Sequence, residues 1–274
     1  MDPRSFHLHL VSDATGETLG SLARACMAQF EGVRSIEHLW PMVRNDRQIA
    51  RVLAAVKAEP GVVLFTIVDD DLRATLEEGC RNLNMPCIPV LDPVIRALAA
   101  FLGMESRGEP GRQYALDAEY FHRIEAMQFA LAHDDGQSIH DLDKADVILV
   151  GVSRTSKSPT CIYLANRGLK AANVPFVPNV PLPEELMNAK RPLIVGLTND
   201  PTRLVQVRRN RLKLLDQGRE TDYVDPEAVR DEVESAKRYF NGRQWPIIDV
   251  ARRSIEETAA TVIQYHARRQ RKNA

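Results

Sequence analysis

The chain has 274 residues, 44% hydrophobic and 27% charged, with a formal net charge of −1. That length holds one large domain or two ordinary ones, and the composition is that of a soluble globular protein. The near-zero charge excludes a global pull toward nucleic acid or an anionic membrane, and no apolar run approaches the ~18 residues of a membrane span.

The opening stretch MDPRSFHLHLVSDATGE has too short an apolar run for a secretory signal, and Cys26, Cys80, Cys87 and Cys161 show no CxxC spacing. A cytoplasmic protein with reduced thiols is expected, without a structural zinc site. Residues 6–11 (FHLHLV) read as a strand, 12–18 as a polar turn and 19–30 as a helix. A strand over 35–43, a helix over 46–59, a buried strand over 61–68 and a helix over 71–83 follow. A short strand over 86–91 and a helix over 93–102 complete this half. Residues 103–113 (GMESRGEPGRQ) break the alternation with three glycines and a proline. The expected organisation is an N-terminal α/β domain over 1–105, a linker over 106–114 and a second βα domain over 115–274. In the second half, helices are expected over 116–133, 159–166, 203–216, 225–240 and 254–269, with strands over 146–152, 174–177, 193–197 and 246–250. The fold class is therefore α/β, two βα halves with mainly parallel sheets. No internal repeat is visible. The basic tail ARRQRKN suits a helix C-terminus.

The most informative stretch runs from 145. ADVILVGV is an apolar, β-branched run, followed by Gly151, Val152, Ser153, Arg154, Thr155, Ser156, Lys157 and Ser158, then a helix opened by Pro159. Strand, tight turn, Lys-Ser and helix are the layout of a phosphate-binding loop. Backbone N–H groups would cradle phosphate oxygens at a helix N-terminus, Lys157 would reach the outer phosphates, and the Ser158 hydroxyl would ligate Mg²⁺. The usual second glycine is Ser156, which requires a loop that avoids the most glycine-dependent dihedrals. The alternative is an ordinary strand–turn–helix joint that happens to carry Lys-Ser.

Other segments carry weaker signals. Ser12, Asp13, Thr15, Gly16, Glu17 and Thr18 follow the first strand, where open α/β sheets bind ligands; equally, Thr15 or Thr18 could simply cap the helix. His133, Asp134, Asp135 and Gly136 could hold Mg²⁺ or supply a general base, or form a plain helix end and turn. Asp69, Asp70 and Asp71 fit a helix cap better than a metal site. Arg203, Arg208, Arg209 and Arg211 follow GLTND and could clamp a phosphoryl group or form a solvated basic face. Ser254 and Glu257 have the spacing of a capping box.

Taken together, SDATGETL, EYFHRIEAMQFALAHDDG, ADVILVGVSRTSKSPTCIYLANRGLKAANVPFVP, GLTNDPTRLVQVRRNR and WPIIDVARRSIEETAATV resemble the bacterial and plastid regulators of pyruvate, phosphate dikinase. The likeness covers nearly the whole chain in order. That family typically carries GVSRTSKTP, so Ser156 belongs to its pattern and Ser158 replaces the more usual threonine. Related regulators of phosphoenolpyruvate synthase tend to carry Cys-Gly-Lys instead. The resemblance implies a P-loop kinase-like C-terminal half and a bifunctional enzyme. One activity moves the β-phosphate of ADP onto an active-site threonine of the dikinase and inactivates it. The other uses inorganic phosphate to remove that group, releasing pyrophosphate. On these positions, residues 151–158 would cradle ADP with Lys157 neutralising charge. Ser158 would ligate Mg²⁺, Asp134 or Asp135 would accept the threonine proton or help hold the metal, and Arg208 or Arg211 would contact phosphate. The turn at 12–18 would help bind the target. The resemblance is compatible with a homodimer. Phosphoenolpyruvate synthase as target, a small-molecule P-loop kinase and a non-catalytic nucleotide sensor stay open as alternatives.

Overall fold

A computed structural model describes residues 4–111, 118–214 and 223–273. The chain divides into two compact units, Met1–Ala115 and Leu116–Ala274. Residues 112–114 of the expected linker, the expected helix start at 116–117 and the helix end at 215–216 lie outside the described residues.

Unit 1 alternates β1 (Arg4–Val11), α1 (Glu17–Met27), β2 (Val33–Trp40), α2 (Asp46–Ala58), β3 (Gly61–Phe65), α3 (Asp70–Asn82), β4 (Cys87–Pro89) and α4 (Asp92–Leu102). The strands pair in parallel in the order β2-β1-β3-β4. Because side chains alternate along a strand, β1 divides its residues between two cores. Leu8 and Leu10 pack on Leu19 and Ala23 of α1. Val11 faces the other way, with Ile49, Val52 and Val56 of α2 and Leu76 of α3. The helical spacing of those α2 residues is the amphipathic stripe that docks it.

Unit 2 begins with α5 (Ala118–Ala132) and two short 3₁₀ segments, Asp134–Gly136 and Ile139–Lys144. It continues with β5 (Val147–Gly151), α6 (Lys157–Asn166), β6 (Ala171–Pro175), α7 (Glu184–Asn188), β7 (Leu193–Thr198), α8 (Pro201–Leu214), α9 (Pro226–Gly242), β8 (Ile247–Asp249) and α10 (Ile255–Asn273). This sheet is also parallel, in the order β6-β5-β7-β8. Every residue of β5 and β7 is buried, as expected of strands covered on both faces. Val150, Leu204, Val233 and Phe240 form the core under α8 and α9. Leu149, Leu164, Ala259 and Val262 form the core under α6 and α10. Gly196 is required there, because a Cβ would lie 2.3 Å from the Phe240 ring.

The α/β class with two parallel sheets is thus the architecture found. The sequence shows no repeat, yet both sheets have the first strand of the unit beside its second and third. The sixth strand lies at Ala171–Pro175 rather than 174–177, since two alanines hide its start from a pattern based on β-branched residues. Helix α7 is too short for a periodic signal. The capping box is present: Glu257 N–H donates to Ser254 Oγ at 3.1 Å and Ser254 N–H to Glu257 Oε2 at 2.8 Å. Asp69 caps α3 by accepting from Leu72 N–H at 3.0 Å. At α1 the cap is Gly16, in the left-handed region at φ 82, rather than Thr15 or Thr18. Among the described residues, no helix is long and apolar enough to cross a membrane.

Candidate phosphate-binding site

In unit 2 the strand order reverses at β5, with β6 on one side and β7 on the other. A crevice opens outside the carboxyl ends of strands at such a point. The loop between β5 and α6 sits there. Gly151 ends β5 where a Cβ would meet the Leu197 carbonyl oxygen at 2.6 Å and Thr155 Oγ1 at 2.8 Å, so only glycine fits. Arg154 and Ser156 both adopt left-handed backbone, at φ 69 and φ 59. The serine thus sits in the left-handed region, at ψ 27, which non-glycine residues reach at a cost, and not in the glycine-only region of positive φ. Each such residue costs about 1–2 kcal/mol. Left-handed residues inside a loop turn successive N–H groups toward one concavity, which is how a nest for an anion forms. The helix after it begins at Lys157, two residues earlier than Pro159, with no acidic residue in its first turn.

Internal contacts offset that strain. Thr155, fully buried, donates to the Val152 carbonyl at 2.9 Å. Lys157 is only 7% exposed, and its Nζ donates to the carbonyls of Gly151 at 2.9 Å and Val152 at 3.2 Å. Burial lowers the Lys157 pKa to about 8, with the Asp135, Cys161, Asp134 and Glu232 charges opposing the shift. The ammonium is thus held in a low-dielectric loop beside two carboxylates, where its charge acts at close range.

Those carboxylates reach the loop through β6. Asn173, buried in that strand, donates its Nδ2 to the Asp134 carboxylate and accepts from the Asp135 N–H at 3.1 Å with its Oδ1. Asn173 N–H also donates to the His133 carbonyl at 3.1 Å. One side chain and one backbone amide therefore clamp the 133–135 turn, in which Asp135 is itself left-handed at φ 52. His133 turns inward: its ring stacks on Phe129, and its Nδ1 donates to the Phe129 carbonyl at 2.8 Å. The imidazole is packed while the two aspartates face the crevice. A cleft of about 410 Å³ is lined by Asp134, Asp135, Ser153, Arg154, Ser156, Lys157, Ser158, Pro159, Pro175 and Val207.

The structure brings together Asp134, Asp135, Lys157 and Ser158, but neither Arg208 nor Arg211 lines the cleft. Arg211 is exposed on α8. Arg208 is 1% exposed beneath the loop. Its guanidinium makes a bidentate pair with Glu232, at 2.7 and 3.0 Å, and donates to the Ser153 carbonyl and the Tyr223 carbonyl, both at 3.2 Å. It also lies over the Tyr223 ring at 4.6 Å, and the Tyr223 hydroxyl is 3.3 Å from both Ser153 Oγ and Arg154 Nε. This network fits a positioning role behind the loop rather than the phosphate contact expected for Arg208. Sequence reading missed Asn173, Tyr223 and Glu232. Only Asn173 left a trace, as a polar residue inside an apolar strand.

The corresponding turn of unit 1 follows β1 at its own point of strand reversal. Ser12 Oγ accepts from Ala14 N–H at 3.1 Å and from Thr66 Oγ1 at 3.0 Å. The Asp13 carboxylate accepts from Val68 N–H at 2.8 Å, and burial pushes its pKa up. This cleft is smaller, about 150 Å³, and among the described residues no lysine lines it.

The family model described as kinase/pyrophosphorylase matches residues 8–263. A relative from Paramagnetospirillum magneticum is 59% identical over 97% of this chain and 85% of its own. One from Caulobacter vibrioides is 58% identical over 94% of this chain and 82% of its own. One from Rhodospirillum rubrum is 52% identical over 96% of both. All three are described as candidate pyruvate, phosphate dikinase regulatory proteins.

Proposed function

The chain belongs to the kinase/pyrophosphorylase family, and from that premise we propose that it regulates pyruvate, phosphate dikinase by phosphoryl transfer to and from a threonine of that enzyme. The observation that carries the reading is the convergence of Asp134, Asp135, Lys157 and Ser158 on one cleft at the N-terminus of α6. A strained loop with a buried lysine and a facing carboxylate pair is equipment for a diphosphate and a hydroxyl, not for an inert joint.

In the inactivating direction the threonine oxygen attacks the β-phosphorus of ADP. The new P–O bond forms as the bridging bond to AMP breaks, and the hydroxyl proton passes to a carboxylate. Asp135 is the better base. The Asp134 carboxylate is held by Asn173, whereas among the described residues the Asp135 carboxylate makes no hydrogen bond. In the activating direction an oxygen of inorganic phosphate attacks the phosphothreonine phosphorus, the bond to the threonine oxygen breaks as the same carboxylate returns its proton, and pyrophosphate is released. The N–H groups of the loop and the Lys157 charge stabilise the phosphoryl oxygens in both directions. Mg²⁺ fits the oxygen donors collected here, the Ser158 hydroxyl and the aspartate carboxylates, and would neutralise phosphate charge.

The test uses purified protein, dikinase, ADP and Mg²⁺, with phosphothreonine on the dikinase read by mass spectrometry. Adding inorganic phosphate should then release pyrophosphate and restore dikinase activity. Asp135→Asn should slow transfer about 10²–10⁴-fold while ADP still binds. Phosphothreonine on phosphoenolpyruvate synthase but not on the dikinase would overturn the target. ATP-dependent transfer to a small hydroxyl compound alone would overturn the protein-kinase reading.

A further inference from the structure

His7, His9 and Val11 lie on the face of β1 that looks toward α2, opposite to Leu8 and Leu10. His38 of β2 stands beside His9 in the parallel register, and the two rings stack at 4.7 Å. Glu59 caps the end of α2, two residues before β3 begins. Gly61 lets β3 press against β1 there, since a Cβ would fall 2.0 Å from the His7 carbonyl oxygen. Three elements so deliver His7, His38 and Glu59 to one place, where one ligand atom from each lies within 4.8 Å of the others.

The contacts define what each group has to offer. His7 Nδ1 and His38 Nε2 are 2.8 Å apart and share a proton. His38 Nδ1 is 3.5 Å from a Glu59 carboxylate oxygen. His9 is already committed. Its Nε2 donates to the Glu59 carbonyl at 2.9 Å, because a carbonyl only accepts, and its Nδ1 accepts from Trp40 Nε1 at 3.4 Å. His9 therefore anchors the helix end that carries Glu59 and orients the ring stacked on it, as the outer residues of metal sites do.

We propose that His7, His38 and Glu59 form a binding site for one divalent transition-metal ion of the zinc class. Two imidazoles, one carboxylate and a water make a four-coordinate set for such an ion. Nitrogen ligands on a tetrahedral ion at 2.0–2.1 Å lie about 3.3 Å apart, so the 2.8 Å pair opens by about half an ångström. The shared proton moves to the outer nitrogen of its own ring, leaving both facing lone pairs for the ion. Glu59, its side chain 49% exposed, is free to swing in. The ion would tie β1, β2 and the end of α2 together, at the end of β1 away from the turn at 12–18. Cysteine spacing, the usual sign of structural zinc, carries no trace of it.

The full chain, stripped with chelator, is titrated with Zn²⁺ by calorimetry and with Co²⁺ by visible absorption. One ion per chain with tetrahedral cobalt bands and no thiolate charge-transfer band is expected. His38→Ala should weaken binding about 100-fold and Glu59→Gln about tenfold. His140→Ala, at an exposed histidine outside the cluster, should change nothing. Zn²⁺ should raise the melting temperature of the parent but not of His38→Ala. Melting in chelator establishes that each variant folds, and Glu59→Gln carries the comparison if His38→Ala does not. Absence of stoichiometric binding, undiminished affinity in a folded His38→Ala or Glu59→Gln protein, or a thiolate band placing the ion at cysteine would each overturn the site.

Discussion

Units 1 and 2 use the same strand order and leave a turn at the same topological point, yet the two turns are chemically opposite. In unit 2 the turn after β5 carries a buried ammonium, left-handed backbone and two facing carboxylates. In unit 1 the turn after β1 carries Asp13, whose carboxylate is occupied by Val68 N–H, and Ser12, which bonds within the unit. A parallel sheet creates a crevice wherever its order reverses; the side chains decide whether that crevice binds an anion or merely closes the fold.

The sharpest way to break the contrast is to remove the cation. Lys157→Ala should lower phosphoryl transfer about 10²–10³-fold, the effect of deleting one preorganised charge at a transition state. Retained activity in single-turnover assays would remove the loop from the chemistry. Next comes its support. Arg208→Ala strips a bidentate partner from Glu232 and lets go of the Ser153 carbonyl. It should cost about 3 kcal/mol of stability in denaturant unfolding, the lower end for breaking a buried pair. Because Arg208 lies behind the loop, binding of ADP should weaken in parallel, whereas a direct phosphate contact would lower activity without that loss of stability.

A smaller effect distinguishes the lysine from general alkaline damage. The free protein's Lys157 loses its proton near pH 8, below its ordinary 10.5. Bound phosphate requires the charged form, so ADP affinity should fall as pH rises above about 8. Stability should move the opposite way. Burying an ammonium disfavours the folded state while both states are charged, and that penalty fades as pH climbs from about 8 toward 10.5. Calorimetric binding and urea unfolding across this window should diverge. The smallest change is expected in unit 1. Asp13→Asn keeps an acceptor for Val68 N–H and removes a charge that burial already disfavours, so stability should shift by less than about 1 kcal/mol. Slowed transfer to the dikinase by this variant, with ADP binding intact, would place the unit 1 turn in target docking.

Much of the architecture was legible because it rests on local pattern. VILVG and LIVGLT are apolar throughout, and strands of that kind must be buried on both faces. Gly-x-x-x-x-x-Lys-Ser after such a strand marks a tight turn into a helix, and Ser254 with Glu257 marks a helix start. The left-handed turn at Ser156 is not legible locally, because nothing in the stretch itself reveals that Thr155, Lys157 and Arg208 hold the loop in a conformation serine disfavours. Asn173 shows in the sequence only as a polar residue inside an apolar strand, because its partners lie 38 and 39 positions away.

The sequence alone determined the alternation of strands and helices, the parallel sheets and the strand–turn–helix unit around Lys157, since each depends on side-chain periodicity and turn chemistry within about ten residues. Tertiary structure decided which charges meet. It set Asp135 free beside Lys157, turned Arg208 from a surface cation into a buried brace, and joined two strands and a helix end at His7, His38 and Glu59. Pairing between distant segments depends on strand order and register, and those are settled by the packing of whole faces rather than by any one stretch of chain.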